Sequence, residues 1–547
     1  PAAPAGPIAK YTEAPSLAAL VAEGNLPPVE ERLPVEPFVV GPGVRIHERD
    51  LDWEVGEYSR EGEVLRSVGN DPVWSYPCQH SQEHILACPP HHTGPITGNL
   101  VSSWSVNEDC TVYEFTLRKG LKWSDGVPVT TEDIRFTYED VLMNPDLTPV
   151  LASDLKAGAA PDGEPMGLEV VDDFTWRYTF AEPNGSRFLA RLGMGNLWAA
   201  YSTFIRPKHY LQQFHTKYNP DVAALVQEEG YDYWFAMFTA KASQHENAES
   251  PKLWPWIPTV GMGAGATRII CERNPYFFQV DTEGNQLPYI DRYAQEWVTD
   301  NEVLVLKSLN GEIDFQEQWI NAAKYKPVFY DGQEQGGFHL WTVKPSYANE
   351  CIIMLNRDCT DPAIAEMAGN KDFRIGLSHA IDRQKLIDVV LVGQGEPHQA
   401  APRPESGYYH ERLAKQYTEY DPDLANEYLD KTGWVERDAD GFRLGPDGKR
   451  IFFVLEIDQS RTVYVDMLEL IKPMWAAVGV DMMVKLMERS LWEERCRTRN
   501  LEFHGTAHKF GGGSGDPVIF EVVHAPRFGC AFAFSFCVAA CVGQPPD

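Results

Sequence analysis

Residues Leu100–Val141 read LVSSWSVNEDCTVYEFTLRKGLKWSDGVPVTTEDIRFTYEDV. Thr111 to Arg118 alternates apolar and polar side chains, the mark of a half-buried strand. Trp123 to Gly126 then supplies a turn, with Asp125-Gly126 making the sharp reversal. Thr130 or Thr131 caps a helix, and Glu132 and Asp133 sit in its first turn, where the helix dipole favours negative charge. Strand, tight turn and capped helix follow one another, so regular patterning begins here, and from 300 the pattern becomes α/β.

The pattern extends in both directions. Phe174 to Phe180 (FTWRYTF) is a second alternating strand, and 186–245 reads as helical and aromatic. A hairpin is expected around Asp281 to Gln286. From 300 the spacing predicts a helix over 302–309, a short strand over 311–315 and one long amphipathic helix over 372–392. A helix over 421–432 ends at Gly433 as a C-cap. A strand over 452–457, a helix over 463–478 and a strand over 480–486 follow. Residues 1–40 read as an extended, Pro-restrained lead. Residues 71–100 carry no Lys or Arg, many Pro and four of the 15 His, and read as loop.

Composition narrows the function classes. The chain has 547 residues, about three to four domain-sized units. Hydrophobic residues are 43% and charged residues 23%, which excludes disorder as the main state. Gly and Pro show no repeat, which excludes collagen-like and low-complexity classes. The net charge of −31 argues against a nucleic-acid or anionic-membrane partner. No window reaches the ~18 apolar residues of a membrane span. The longest such stretch, Ala531 to Gly543, is too short. The start at Pro1 reads as a processed or trimmed end, so the sequence does not tell whether a signal peptide preceded it. Ten cysteines are too sparse for a disulfide scaffold.

Catalytic motifs are missing. There is no G-x-S-x-G elbow and no H-E-x-x-H. Cys78, His80, His84, Cys88, His91 and His92 form a metal-like cluster. Their spacing matches no paired zinc pattern, so a His-rich surface loop is the favoured reading, and neither metal nor cofactor is expected. Gly511 to Asp516 (GGGSGD) lacks the Lys-Ser/Thr of a P-loop. That segment and Gly261, Gly263 and Gly265 read as tight turns or places of close backbone approach. The many tryptophans, among them Trp234, Trp254, Trp256, Trp319, Trp341 and Trp492, are core material first and ligand-stacking surfaces second.

Five segments in order resemble the extracellular solute-binding proteins of family 5, receptors of bacterial ABC importers. They are Leu100–Val141, Glu272–Tyr293 (ERNPYFFQVDTEGNQLPYIDRY), Leu306–Phe315 (LKSLNGEIDF), Lys371–Pro397 (KDFRIGLSHAIDRQKLIDVVLVGQGEP) and Asp421–Trp434 (DPDLANEYLDKTGW). The resemblance implies a two-lobed periplasmic-binding-protein fold of type II, α/β with mixed sheets, a hinge and a small extra domain. It implies residues 1–95 and 185–300 as parts of lobe I and 96–184 as the small α/β domain. It implies 301–504 as lobe II and 505–547 as a return to lobe I with an atypical Cys-bearing tail. Relatives are expected to run on after the glycine loop, whereas Phe528 to Pro546 has no charged residue and is unlike their helices.

The resemblance also implies a function. An oligopeptide or oligosaccharide would be captured by lobe closure and passed to a membrane permease by a monomer, periplasmic or extracellular and lipid-anchored before trimming. Candidate ligand contacts are Trp492, Arg499, Phe510 and Asp516, with Trp254, Trp256 and Tyr347. Where peptide-binding relatives place an acidic residue for the α-amine, this chain has Gly513 or Ser514. Asp516 substitutes only if the loop is re-routed, so a hydroxyl-rich ligand stands beside a peptide. Two readings from other classes stay open. One is a carboxylate-dependent hydrolase, which needs two acids ~5–10 Å apart across a cleft. The other is a binding fold turned assembly protein, its apolar tail pairing with another chain.

Overall fold

The computed structural model describes residues 8, 10–42, 45–46, 55–59, 63–69, 83–87, 96–160, 162–193, 201–244, 246–260, 267–316, 320, 323–340, 349–401, 404, 409–459, 461–488, 491–492, 495, 502–510 and 542–543. The chain divides into two compact units, Pro1–Ile320 with Gly332–His339, and Asn321–Asp331 with Leu340–Asp547.

The main strands of the first unit are β1 (Val64–Gly69), β2 (Val101–Val106), β3 (Val112–Leu117), β4 (Gly167–Val170), β5 (Thr175–Thr179), β6 (Trp256–Val260), β7 (Arg268–Arg273) and β8 (Arg292–Trp297). They form two four-stranded sheets, ordered β2-β3-β5-β4 and β6-β7-β8-β1. The first is antiparallel throughout. Its alternation sends Tyr113, Phe115 and Leu117 inward, where Phe115 and Tyr113 pair across the ladder with Trp176 and Tyr178. Phe115 and Trp176 stack at 5.2 Å between ring centres. Cross-strand aromatic pairs of this kind are the main cohesive unit of a small sheet. In the second sheet β8 and β1 run parallel, with Arg292 opposite Val64.

The turn and cap behave as the sequence predicts. Gly126 has φ +88°, and a Cβ there would lie 2.8 Å from the Tyr276 hydroxyl. Only glycine meets both demands. Helix α1 (Thr131–Phe136) starts with a reciprocal capping box between Thr130 and Asp133. A satellite cluster of Phe136, Val141, Leu211, Phe214, Val222, Val226, Met237 and Phe238 gathers the aromatic helical stretch. His215 sits among its rings, with Trp234 at 5.0 Å and Phe238 at 5.6 Å.

The second unit is built on β9 (Asn349–Leu355), β10 (Phe452–Asp458), β11 (Asp481–Met487) and β12 (Gly505–Phe510), in the order β9-β12-β10-β11. Strands β10, β11 and β12 are mutually parallel where they pair, and β9 runs antiparallel to β12. Helices α2 (Lys371–His379), α3 (Arg383–Val390), α4 (Pro422–Lys431) and α5 (Thr462–Ala477) accompany the sheet. Phe453, Leu455 and Ile457 share a core with Phe373, Leu377, Leu386, Leu468, Ile471 and Trp475 from these helices. The intervening residues Val454, Glu456 and Asp458 take the opposite face, as strand alternation requires.

Several expectations change. The single helix over 372–392 is two, because the Asp382 carboxylate accepts the Lys385 N–H and starts a new helix. Residues 311–315 form no strand. Instead Asp314 holds the Arg66 guanidinium and its backbone N–H, at 2.6 and 2.7 Å. The turn at 281–286 forms, with the Asp281 carboxylate accepting the N–H groups of Glu283 and Asn285, but it closes no long hairpin. The first unit runs on to Ile320, and residues 505–510 belong to the second. Gly505 is held there because its backbone lies beside Leu455 in the parallel ladder.

Candidate functional site

Open α/β sheets bind ligands beyond the carboxyl ends of their parallel strands, where backbone groups and loops converge. In the second unit that end carries Asp458 of β10, Met487 of β11 and Phe510 of β12. Asn349 pairs with Phe510, so the start of the antiparallel strand β9 reaches the same end.

Trp492 follows β11 and folds back on this face. Its indole N–H donates to the Glu456 carbonyl and to the Thr506 hydroxyl oxygen, both at 3.1 Å. Thr506 in turn donates to the Glu456 carbonyl at 2.7 Å. Trp492 is 3% exposed and clusters with Met487 and Phe503. It therefore braces β10 against β12 from within.

Below it lies a charged centre. The buried Glu456 carboxylate accepts two bonds from Arg495, Nε to Oε2 at 2.7 Å and one terminal amine to Oε1 at 3.0 Å. Lys485, its register partner on β11, adds a third at 3.0 Å. Asp458 is buried beside it, with Arg461 at 3.8 Å. His504 accepts the Val454 N–H, and burial keeps its imidazole below the ordinary value against the pull of Asp361 and Glu456.

The predicted contacts divide. Trp492 and Phe510 come to one end of one sheet. Arg499, Asp516 and Tyr347 lie outside the described residues, as do the glycines of 511–515 and 261–265. Trp254 is 2% exposed in the first unit's core. Trp256 is half-buried there, its N–H on the Ile290 carbonyl at 2.9 Å and its ring on the edge of Tyr293. Both indoles are taken up by packing. The reading from sequence passed over Glu456, Lys485 and Arg495. The available signal was a carboxylate inside the apolar strand FFVLEID and a lysine inside MMVKLM.

A shallow polar hollow in the first unit is lined by Thr130, Glu132, Asp133, Lys208, His209 and Gln212. Its groups satisfy one another. Asp133 accepts the Lys208, Thr130 and Trp123 N–H groups, and Lys208 pairs with Glu132 at 2.9 Å. His209 pairs with Asp125 at 2.8 Å; burial pushes the Asp125 carboxyl up, but this bond, the Val127 N–H and the His209 charge together hold it below its usual range. Of the suspected metal cluster only His84 is described. Among the described residues no three His, Cys, Asp or Glu side chains are grouped to hold a metal ion. Nor is any described helix long and apolar enough to cross a membrane.

Comparison with known proteins agrees with this architecture. The family description "bacterial extracellular solute-binding proteins, family 5 Middle" matches residues 95–520. A periplasmic alpha-galactoside-binding protein of Rhizobium meliloti is 27% identical over 463 residues, covering 78% of this chain and 60% of that protein. The chain thus spans about 60% of the length of the curated relatives it matches. A solved oligopeptide-binding protein, OppA, is 33% identical with a TM-score of 0.62, covering 93% of this chain and 76% of that one. The periplasmic binding protein MelB of Agrobacterium fabrum C58, solved with stachyose, has a TM-score of 0.69 at 21% identity, covering 92% of this chain and 74% of that one. The fold class is that of the type II periplasmic binding proteins, α/β with mixed sheets. The chain belongs to the bacterial extracellular solute-binding proteins of family 5.

Proposed function

We propose that this chain is the solute-binding receptor of an ABC importer, taking an oligopeptide or oligosaccharide and delivering it to a membrane permease. The observation that carries this reading is the convergence of Asp458, Met487, Phe510 and the Trp492 brace at the carboxyl ends of parallel strands. Ligand would bind a closed state better than an open one and so draw a pre-existing equilibrium toward closure. Aromatic side chains would supply apolar contact, and a few fixed polar groups would set orientation. Trp492 would act by holding the wall, while Phe510, Arg499, Asp516 and Tyr347 would meet the solute. The sheet within residues 96–184 would be the family's small extra domain. The reading includes no catalysis and places the protein in the periplasm or outside the cell, with a lipid anchor as its tether. Its relatives are named as periplasmic and oligopeptide-binding proteins, which supports that placement.

Titration calorimetry of the full chain against stachyose and a panel of short peptides tests the proposal. Saturable one-to-one binding of one class, with ligand recovered unchanged, is the expected result. A folded protein that binds none of them, or that cleaves one, overturns it.

A further inference from the structure

The first unit shows how this fold treats a guanidinium taken out of water. Arg32 is fully buried and holds the side chains of Glu13 and Gln286 and the Pro27 carbonyl. Arg273 is answered by Asp291 at 2.8 Å and by the Tyr289 carbonyl at 3.1 Å. Arg118 is met by the carbonyls of Asn99 and Glu36 at 2.6 and 2.8 Å, with the Phe38 ring 5.3 Å away. Each obeys the rule that a buried charge is paired or hydrogen-bonded.

Arg206 breaks that rule. It lies between the turn Tyr201–Thr203 and the short helix Lys208–Leu211, directly after the buried Phe204 and Ile205. Its side chain is half-buried and its Nε is enclosed. Yet the guanidinium makes no hydrogen bond and no ion pair to a described residue. The Tyr201 hydroxyl is the one described titratable group acting on it. That hydroxyl is already spent, donating to the Gln244 side chain at 2.7 Å and accepting the Leu253 N–H at 2.9 Å. The carboxylates that reach this stretch, Glu132 and Asp133, go to Lys208, one to its amine and one to its backbone N–H. Burial pulls the Arg206 guanidinium down to about 10, against Tyr201, so the group stays charged at neutral pH.

An enclosed, charged and unanswered guanidinium is costly, and what it lacks is an anion. Its donors form a planar fork that fits two oxygens of one group, which selects an oxyanion over chloride. Partial exposure leaves the fork reachable from solvent. We propose that the first unit binds a small oxyanion, a phosphate or a carboxylate, on Arg206. The bound group supplies the counter-charge that the chain leaves out, so occupancy stabilises the fold. This site uses none of the residues assigned to the solute and does not depend on the receptor reading above.

Thermal unfolding of the full chain at constant ionic strength tests it, with chloride exchanged stepwise for inorganic phosphate and, in a second arm, for acetate. The wild type gains melting temperature along a saturating curve, because a ligand of the folded state alone shifts unfolding by mass action. The arm that saturates at the lower concentration identifies the preferred oxyanion. Arg206→Met keeps the apolar stem and drops the charge, so it melts higher than the wild type in chloride and loses the response. Arg206→Lys keeps the charge without the fork and needs about tenfold more anion to reach half its shift. A wild type with no saturable response to either anion overturns the proposal. So does a response that Arg206→Met leaves intact, which is a general salt effect, or an Arg206→Met chain that melts lower than the wild type in chloride. Should Arg206→Met fail to fold, the half-saturation ratio of Arg206→Lys decides, and a ratio of one overturns the proposal.

Discussion

The small sheet β2-β3-β5-β4 and the larger sheet β9-β12-β10-β11 solve different problems. The first is antiparallel, short-range in sequence and filled with rings; Tyr113, Phe115, Trp176 and Tyr178 are all buried. Its ion pairs, such as Arg177 with Glu114 and Glu169, sit on the exposed side. The second brings together residues more than a hundred positions apart, and one of its faces carries a buried carboxylate with two cations. Burying charge costs more than burying rings unless every charge is answered. The first sheet is architecture, and the second sheet's open end is where we propose the site.

The comparison can be broken most easily at the rings. Trp176→Ala is expected to lose about 3–5 kcal/mol in denaturant unfolding, through lost apolar contact and the cavity left behind. Solute affinity of the remaining folded protein is expected to stay at the wild-type value. A large affinity loss with intact stability would put the site in the wrong sheet.

Trp492→Phe probes the second region. It keeps most of the apolar contact with Met487 and Phe503 but removes the N–H shared by Glu456 and Thr506. Stability falls by about 1–2 kcal/mol, the range for one buried hydrogen bond. Affinity falls too, because β10 and β12 are no longer pinned together. Asp421→Ala removes the cap on Leu424 N–H at the start of α4 and costs about 1 kcal/mol, with no change in binding.

Acid separates the regions in another way. Burial depresses the folded-state pKa of His215, despite the Asp140 carbonyl it bonds at 3.1 Å. The Lys217 N–H donates to its other ring nitrogen, so a second proton has no room to form a bond. A histidine with a depressed folded pKa contributes stability that is complete above its unfolded value, roughly 6.5, and is lost as pH falls through and below it. Thermal unfolding followed from pH 8 to pH 4 should show that decline, and His215→Phe should flatten part of it. The smallest effect belongs to the exposed pair. Arg177→Ala should leave the unfolding midpoint within the error of the measurement.

Local physics made much of this legible in sequence. The strand at 112–117, the Gly126 turn and the Thr130 cap depend on neighbours a few residues apart, and they formed where alternation and capping chemistry placed them. The break between α2 and α3 was missed because apolar spacing continues across it; the Asp382 side chain, not the periodicity, decides. The strand expected over 311–315 was displaced by one long-range pair, Asp314 with Arg66. Within the site, aromatic residues drew the eye and two of them, Trp254 and Trp256, are packed in the first unit. Glu456, Lys485 and Arg495 are ordinary letters until β10 and β11 align in register. A site assembled by parallel pairing leaves little trace in the spacing of any one segment.

The central claim is that the carboxyl end of the second unit's sheet holds the solute. Amide hydrogen exchange of the full chain, with and without a saturating free-acid tetrapeptide and, in a second arm, stachyose, tests it most directly. The account predicts that the binding arm slows exchange in 455–458, 485–492 and 505–510 and leaves the strands at 112–117 and 175–179 unchanged. Protection confined to the first unit, with the second unit's strand ends unaffected by bound solute, would contradict it.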